Sequence, residues 1–94
     1  MAWGVSRRKR LWGFDEEERR ALLEATAGLA ELQAVLGRAA WRADLGMWLV
    51  QASVSELDQM YSLVAALMDA TRSRKRLDLL DGLLATLSTS IDGF

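Results

Sequence analysis

Two pairs of acidic residues have the spacing at which carboxylates could share acid–base chemistry. Asp78 and Asp81 are three residues apart, on one face of a predicted helix, and Glu56 and Asp58 open the helix before it. Acidic side chains are favoured in any first helical turn because they interact with the positive end of the helix, and Asp78 and Asp81 flank a leucine stripe on its solvent side. We therefore interpret both pairs as solvated helix residues and predict no catalytic residue.

The residue types that most enzymes use for nucleophilic and metal chemistry are absent from the sequence. It contains no histidine and no cysteine, which excludes Ser-His-Asp and Cys-His sites, disulfide bonds and the commonest zinc sites. It also lacks the glycine-rich motifs that bind phosphate groups. We therefore expect a protein that is not an enzyme and that has no metal site and no other cofactor.

The net charge of the chain is only −1, so any attraction to a polyanion must come from local clusters of positive charge. The sequence has two such basic clusters. The first cluster, SRRKRL at 6–11, precedes aromatic residues, and the second, SRKRL at 73–77, nearly repeats its sequence, whereas every charge in 43–71 is negative. The candidate contacts with a polyanion or an acidic partner are Arg7, Arg8, Lys9, Arg10, Trp12, Arg72, Arg74, Lys75 and Arg76.

Three interpretations of the basic clusters stay open. In the first interpretation the clusters are solvated segments. In the second, the first cluster of one copy lies on the acidic middle of another copy, with Trp12 or Phe14 as an apolar anchor. In the third interpretation the cations neutralise the phosphates of nucleic acid or of a membrane, and Trp3 and Trp12 stack on bases or lie among the head groups. Four charges bind weakly alone, so this third interpretation requires a dimer or both clusters on one face.

The composition predicts that helices position these residues. Alanine and leucine make up about a third of the chain, β-branched residues are few and proline is absent. No apolar run approaches the roughly 20 residues that a membrane-spanning helix needs. We predict an all-α fold, with residues 1–14 as a basic N-terminal arm that contains aromatic residues and residues 15–94 as a single helical domain.

A long first helix is predicted over about residues 16–52. Asp15 and Glu18 have the spacing of a capping box at its start. Apolar residues then recur in steps of seven, which is typical of a helix that packs along another helix at a shallow angle. One row of this repeat contains Leu22, Leu29, Leu36, Ala43 and Val50, and the other contains Ala25, Leu32, Ala39 and Gly46.

Two further helices are predicted at 54–72 and 74–90, the first with a capping box at Ser53 and Glu56. Their apolar stripes differ in direction by roughly 160–180° if the helix is unbroken. Either the chain breaks at 72–75, with Ser73 as a new N-cap, and forms a bundle of short helices; or one continuous helix faces two neighbours, which requires an oligomer.

Apolar residues at helical spacing form the candidate surface for a partner or for self-association. Trp41 and Trp48 are seven residues apart, so a helix would place both on one face, and aromatic residues on such a face usually belong to a core or an interface. The leucine stripe of the last helix joins them. The complete candidate surface is Trp41, Trp48, Leu77, Leu80, Leu84, Leu87 and Ile91.

These patterns together predict a small cytoplasmic helical interaction protein. It would bind another protein as an adaptor, inhibitor or assembly subunit, and its antiparallel helical hairpins would form a homodimer of the four-helix-bundle type. The alternatives are a nucleic-acid-associated accessory protein that uses the arm and the 72–76 cluster, and peripheral membrane attachment through the arm. The arm hypothesis predicts that deletion of residues 1–12 leaves stability nearly unchanged, and the stripe hypothesis predicts that Leu84→Asp unfolds or dissociates the protein.

Overall fold

The computed structural model describes residues 9–92 and contains a β-sheet, so the predicted all-α fold is wrong. Within residues 9–92, strands and helices share one core, and short helices and strands replace the predicted long helices, so the helical hairpin and the four-helix bundle built from it are also wrong. In chain order the elements are β1 (Lys9–Phe14), α1 (Glu16–Ala25), α2 (Ala30–Gly37), β2 (Ala40–Arg42), β3 (Met47–Ser53), α3 (Val54–Ala70) and α4 (Arg74–Asp92).

The three strands form an antiparallel sheet in the order β1-β3-β2. Strand β1 lies where we predicted an arm, and its side chains alternate between solvent and core, as the pleat of a strand requires. Trp12 and Phe14 are buried, whereas Leu11 between them is exposed. The segment is therefore a packed strand from Lys9 onward.

The predicted helix of residues 16–52 ends after ten residues, at a turn in which Gly28 adopts a φ of 83°, outside the helical region. Its capping box at Asp15 and Glu18 is present, but buried Thr26 donates its hydroxyl to the Leu22 carbonyl at 2.8 Å. The Gln33 amide donates to the Leu23 carbonyl and to the Thr26 hydroxyl, both at 3.0 Å. These bonds help to hold the turn after α1. They also give the Leu22 and Leu23 carbonyls hydrogen-bond partners near the end of the helix.

A tight hairpin then replaces the rest of the predicted first helix. The Arg42 carbonyl accepts hydrogen bonds from the Leu45 and Gly46 N–H groups, at 3.1 and 2.8 Å, and closes a four-residue loop between β2 and β3. Gly46 adopts a φ of 66°, in the left-handed region that favours glycine. The Arg42 guanidinium donates two hydrogen bonds to the Asp44 carboxylate, at 3.1 and 3.0 Å, and braces the loop.

The chain breaks between α3 and α4, as one of the two alternatives predicted. Helix α3 begins with the capping box of Ser53 and Glu56 and ends at Ala70, after which Thr71 is extended. Ser73 accepts a hydrogen bond from the Arg76 N–H at 3.4 Å, at the start of α4. The break lets each helix turn its own apolar stripe to the core, so the difference in stripe direction no longer requires an oligomer.

The core lies between the sheet and the helices and draws residues from every element except β2. Among the described residues, strand β1 supplies both fully buried aromatic side chains, Trp12 and Phe14. The Trp12 indole N–H donates to the Thr86 hydroxyl of α4 at 3.3 Å. Among the buried residues are Trp12, Phe14, Leu22, Val35, Leu36, Val50, Leu57, Met60, Val64, Leu80, Leu83 and Leu87. Among residues 9–92, no helix is both long enough and apolar enough to span a membrane.

Candidate interaction surface

An aromatic row crosses the sheet from the core to the solvent. Phe14 on β1 lies opposite Trp48 on β3, and Trp48 lies opposite Trp41 on β2. Because directly opposed residues of antiparallel strands share a face, the three rings follow one another across the sheet. Phe14 is fully buried, Trp48 is half-buried and Trp41 is 48% exposed. The row therefore connects the exposed Trp41 ring, through Trp48, to the core.

Helix α1 fixes the middle member of this row. The Trp48 indole N–H donates to a Glu16 carboxylate oxygen at 3.1 Å, and the Arg19 guanidinium lies 4.5 Å from the centroid of the same ring. A cation over an indole face is attracted by the ring's quadrupole. Trp41 packs with its ring centroid 5.6 Å from that of Trp48, at an interplanar angle of 63°. Trp41 thus stands on a ring that cannot easily turn.

We define the hairpin surface as the exposed side chains Ala40, Trp41, Arg42 and Leu45. Ala40 and Arg42 pair with Leu49 and Met47 and lie on the opposite face of β2 from Trp41. Leu45, in the loop, is 55% exposed, and all three residues of β2 are exposed. The charge of Arg42 is balanced by Asp44. Apart from this exposed ion pair the surface is apolar, and the ion pair braces the loop that carries it.

The sequence predicted the proximity of Trp41 and Trp48, but for the wrong reason. A separation of seven residues would align them on a helix, whereas the structure brings them together by cross-strand pairing on either side of a four-residue loop. Sequence reasoning missed Leu45 as part of the surface and missed Glu16 and Arg19 as supports of Trp48. Only the folded sheet brings α1 beside β3, so no local signal in the sequence identifies those two contacts.

The leucine stripe that we predicted as a self-association surface packs largely inside the molecule. Leu80 and Leu87 are fully buried in the core, and Leu77, Leu84 and Ile91 are half-buried. Leu83, which the predicted stripe omitted, is fully buried as well. The sheet and α3 of the same chain cover this stripe, so it is not a free face.

The basic residues that the structure describes do not meet on one face. Lys9 lies opposite Ser53, at the start of α3, whereas Arg72, Arg74 and Lys75 follow the end of α3 and are exposed. The 17 residues of α3 separate the two groups by about 25 Å. Arg7 and Arg8 lie outside the described residues.

Two other members of the predicted charged surface are engaged within the fold. Arg76 donates to the Glu24 carboxylate at 2.9 Å, so α4 uses this charge to bind α1. Trp12 is buried and cannot stack on a base or enter a head-group layer without leaving the core. Arg10 is half-buried opposite Ala52.

The α1–α2 pair also lacks the charge that reading DNA requires. Residues 26–29 join the two helices, and Gly28 has a φ of 83° in that turn, which is the usual connection of a helix-turn-helix. The exposed side chains of α2 include Ala30, Glu31 and Ala34, and α2 contains no basic residue. A recognition helix needs cations and polar groups for phosphates and base edges.

A second apolar area lies on the opposite face of the sheet. Leu11, Met47 and Leu49 surround Gly13 there and form, with the last turns of α4, a shallow groove of about 370 Å³. The neighbouring hydroxyl groups donate within the protein, Ser90 to the Leu11 carbonyl at 3.1 Å and Thr89 to the Ala85 carbonyl at 3.0 Å. This groove therefore offers mainly apolar contact.

Lys9, from the first basic cluster, belongs to a cluster of charged side chains at the start of α3. The Ser53 N–H donates to Glu56 at 2.9 Å, and Arg38 lies 3.5 Å from the same carboxylate oxygen. Burial alone would raise the pKa of Glu56, but the Ser53 N–H and the charges of Arg38 and Lys9 outweigh it, so the pKa lies below its ordinary value. Lys9 therefore contributes to a local cluster.

Glu56→Gln should reduce stability at neutral pH and have little effect in acid. Because the pKa of Glu56 is lowered by folding, its carboxylate contributes stability above the unfolded value of 4.5, and this contribution is lost as the pH falls through the folded value. Urea unfolding from pH 7 to pH 3 measures the difference between native chain and variant. Glu31→Gln is the control, since Glu31 is exposed and forms no ion pair within residues 9–92. A difference that stays constant with pH would contradict the lowered pKa.

Comparison of the chain with protein-family models, with curated proteins and with solved structures finds no match. Within residues 9–92, no group of three or more acidic side chains is placed to hold a metal ion. The fold and the site define a small mixed α/β protein whose exposed hairpin carries an anchored tryptophan.

Proposed function

We propose that this protein is a small protein-binding module that acts as an adaptor, inhibitor or assembly subunit and also self-associates. The hairpin surface contacts the partner, with Trp41 as the main anchor. The proposal assigns the protein to the cytoplasm because the sequence has no cysteine for the disulfides that small exported domains commonly use.

The single observation that supports this function is that half-exposed Trp41 packs on Trp48, a ring that helix α1 holds through Glu16 and Arg19. Tryptophan is enriched among the residues that dominate binding energy at protein interfaces. Ordering a mobile side chain on binding costs free energy, and the contacts of Trp41 with Trp48 reduce that cost before the partner arrives. Leu45 adds exposed apolar area in the same hairpin.

Nucleic-acid binding receives less support from the same geometry. The described part of the first basic cluster lies about 25 Å from Arg72, along α3, and Arg76 is paired with Glu24. Arg72, Arg74 and Lys75 are exposed and form no ion pair within residues 9–92, yet three cations alone would give weak, salt-sensitive binding.

Trp41→Ser should weaken partner binding about tenfold or more and preserve the fold. The variant removes the exposed ring, and Trp48 keeps its contacts with Glu16 and Arg19. Proteins retained from a lysate of the native host by the immobilised native chain are quantified by mass spectrometry and compared with those retained by the variant. Leu11→Ser is the matched control, since Leu11 is 60% exposed on the other face of the sheet.

The expected result is a set of proteins retained by the native chain and by Leu11→Ser but reduced about tenfold or more with Trp41→Ser, which is the scale of loss for a dominant interface residue. Equal retention by all three chains would contradict the role of the hairpin surface. Circular dichroism confirms that each variant is folded before binding is compared.

A further inference from the structure

Side chains of the same chain bind backbone carbonyls at two places along the edges of the sheet. Along the outer edge of β1, the Ser90 hydroxyl donates to the Leu11 carbonyl at 3.1 Å, and α4 lies beside the strand. Where β3 extends beyond β2, the Arg38 guanidinium donates to the Gln51 carbonyl at 3.3 Å. Covering an edge in this way prevents other strands from pairing with it.

The outer edge of β2 has no such cover among the described residues. The strand order makes β2 an edge, and no side chain within residues 9–92 hydrogen-bonds to the backbone of Ala40–Arg42. The Arg42 carbonyl points into the hairpin, because it accepts from the Gly46 N–H. Hydrogen-bonding direction alternates along a strand, so the N–H and C=O groups of Trp41 point outward.

The common devices that protect an edge are also missing from β2. It contains no lysine and no proline, and its pairing with β3 runs without a bulge through Ala40, Trp41 and Arg42. Its one charge is balanced by Asp44. Its shortness is the remaining protection, and it limits the partner strand to a few residues.

We propose that β2 pairs antiparallel with β2 of a second copy, about a twofold axis at Trp41. This inference rests on the proposed function and names the partner in its self-association. The outward-facing N–H and C=O groups of Trp41 can form two hydrogen bonds with the same groups of Trp41 in the second copy. The two paired strands are also equal in length, because they are the same strand in each copy. The two sheets then join into one of six strands.

The side chains of the two edges are compatible in this arrangement. Pairing about Trp41 places Ala40 opposite the partner's Arg42, so a small side chain faces a long one and no like charges are opposed. Trp41 lies on the same face as the partner's Trp41, which continues the aromatic row from one core to the other. The exposed ring is thereby covered by an identical ring, so the second copy and any other partner compete for Trp41.

Two substitutions of opposite charge at Ala40 test this register. Ala40 is exposed, so the isolated chain tolerates either one. Ala40→Arg places like charges opposite each other at two symmetric positions, and Ala40→Glu places opposite charges there. Sedimentation equilibrium of the full chain should show dimer dissociation constants raised about fivefold by the first and lowered about fivefold by the second.

Hydrogen exchange of the native chain gives a second measurement that needs no substitution. The Trp41 amide proton should exchange rapidly in dilute protein and become protected at concentrations where the dimer forms. A chain that stays monomeric at millimolar concentration would overturn the inference, as would equal effects of the two charges at Ala40 or an unprotected Trp41 amide in the dimer.

Failure of this inference is distinguishable from failure of the proposed function. If β2 instead binds an extended segment of a different protein, the native chain stays monomeric while Trp41→Ser still loses retained proteins. If the hairpin surface binds nothing but its own copy, the Ala40 variants shift the dimer and no other protein depends on Trp41. Loss of both responses would refute both proposals.

Discussion

Trp12→Ala should lower the free energy of unfolding by about 3–5 kcal/mol, the usual cost of replacing a buried tryptophan with alanine. The Trp12 ring is fully enclosed, its centroid lies 4.7 Å from that of Phe14, and its indole N–H donates to Thr86. The substitution leaves a cavity between β1 and α4 and removes one of the bonds that hold them together. Urea denaturation, followed by circular dichroism, measures the loss.

Leu11→Ala is the control for this prediction. Leu11 is adjacent in the sequence but exposed on the other face of the sheet, so its truncation should cost less than about 1 kcal/mol. Small and equal losses at both positions would mean that β1 is not packed as described. Deletion of residues 1–12 should then also be harmless, as the arm hypothesis predicts, whereas the structure predicts that this deletion unfolds the chain.

The sequence correctly predicted the features that depend only on neighbouring residues, which are the two capping boxes and the break before α4. The capping boxes at Asp15 and Ser53 depend on residues three positions apart, and both are present. The break before α4 depends on Ser73 and its neighbours, and it occurs where one alternative placed it. Each of these features is complete within one or two turns of chain.

The sheet could not be predicted in this way because its strands depend on distant partners. Phe14 on β1 faces Trp48 on β3, and their pairing is stable only when both segments are already placed. Strand β1 contains a glycine and two cations, so its alternation of apolar and polar residues is weak. In a chain rich in leucine and alanine, a step of seven residues also arises without a continuous helix, and the turn at Gly28 interrupts this one.

The candidate site shows the same division. Trp41 and Trp48 stand out in the sequence as aromatic residues, but their roles follow from the register of β2 and β3, which no spacing within a helix reveals. The leucine stripe attracts attention as an unpartnered face only if α3 and α4 are one helix. Once the chain turns at Ser73, α3 itself covers the stripe.

Leu83→Asp should unfold the protein, and Leu84→Asp should destabilise it less. Leu83 is fully buried and Leu84 is half-buried, although the predicted stripe included Leu84 and omitted Leu83. A buried carboxylate without a partner costs several kcal/mol, and the whole free energy of unfolding of a chain of this length is roughly 5–15 kcal/mol. A half-buried aspartate can turn its carboxylate toward water and avoids most of that cost.

Thermal unfolding of the two variants, compared with the native chain, shows whether α4 turns Leu83 or Leu84 toward the core. The structure predicts no cooperative transition for Leu83→Asp and a transition at reduced temperature for Leu84→Asp. Ala85→Asp is the control, since Ala85 is an exposed residue of the same helix and should change the transition little. The reverse order, with Leu84→Asp the more damaging, would place the helix about a quarter-turn from its described orientation and return the stripe to the interface that the sequence predicted.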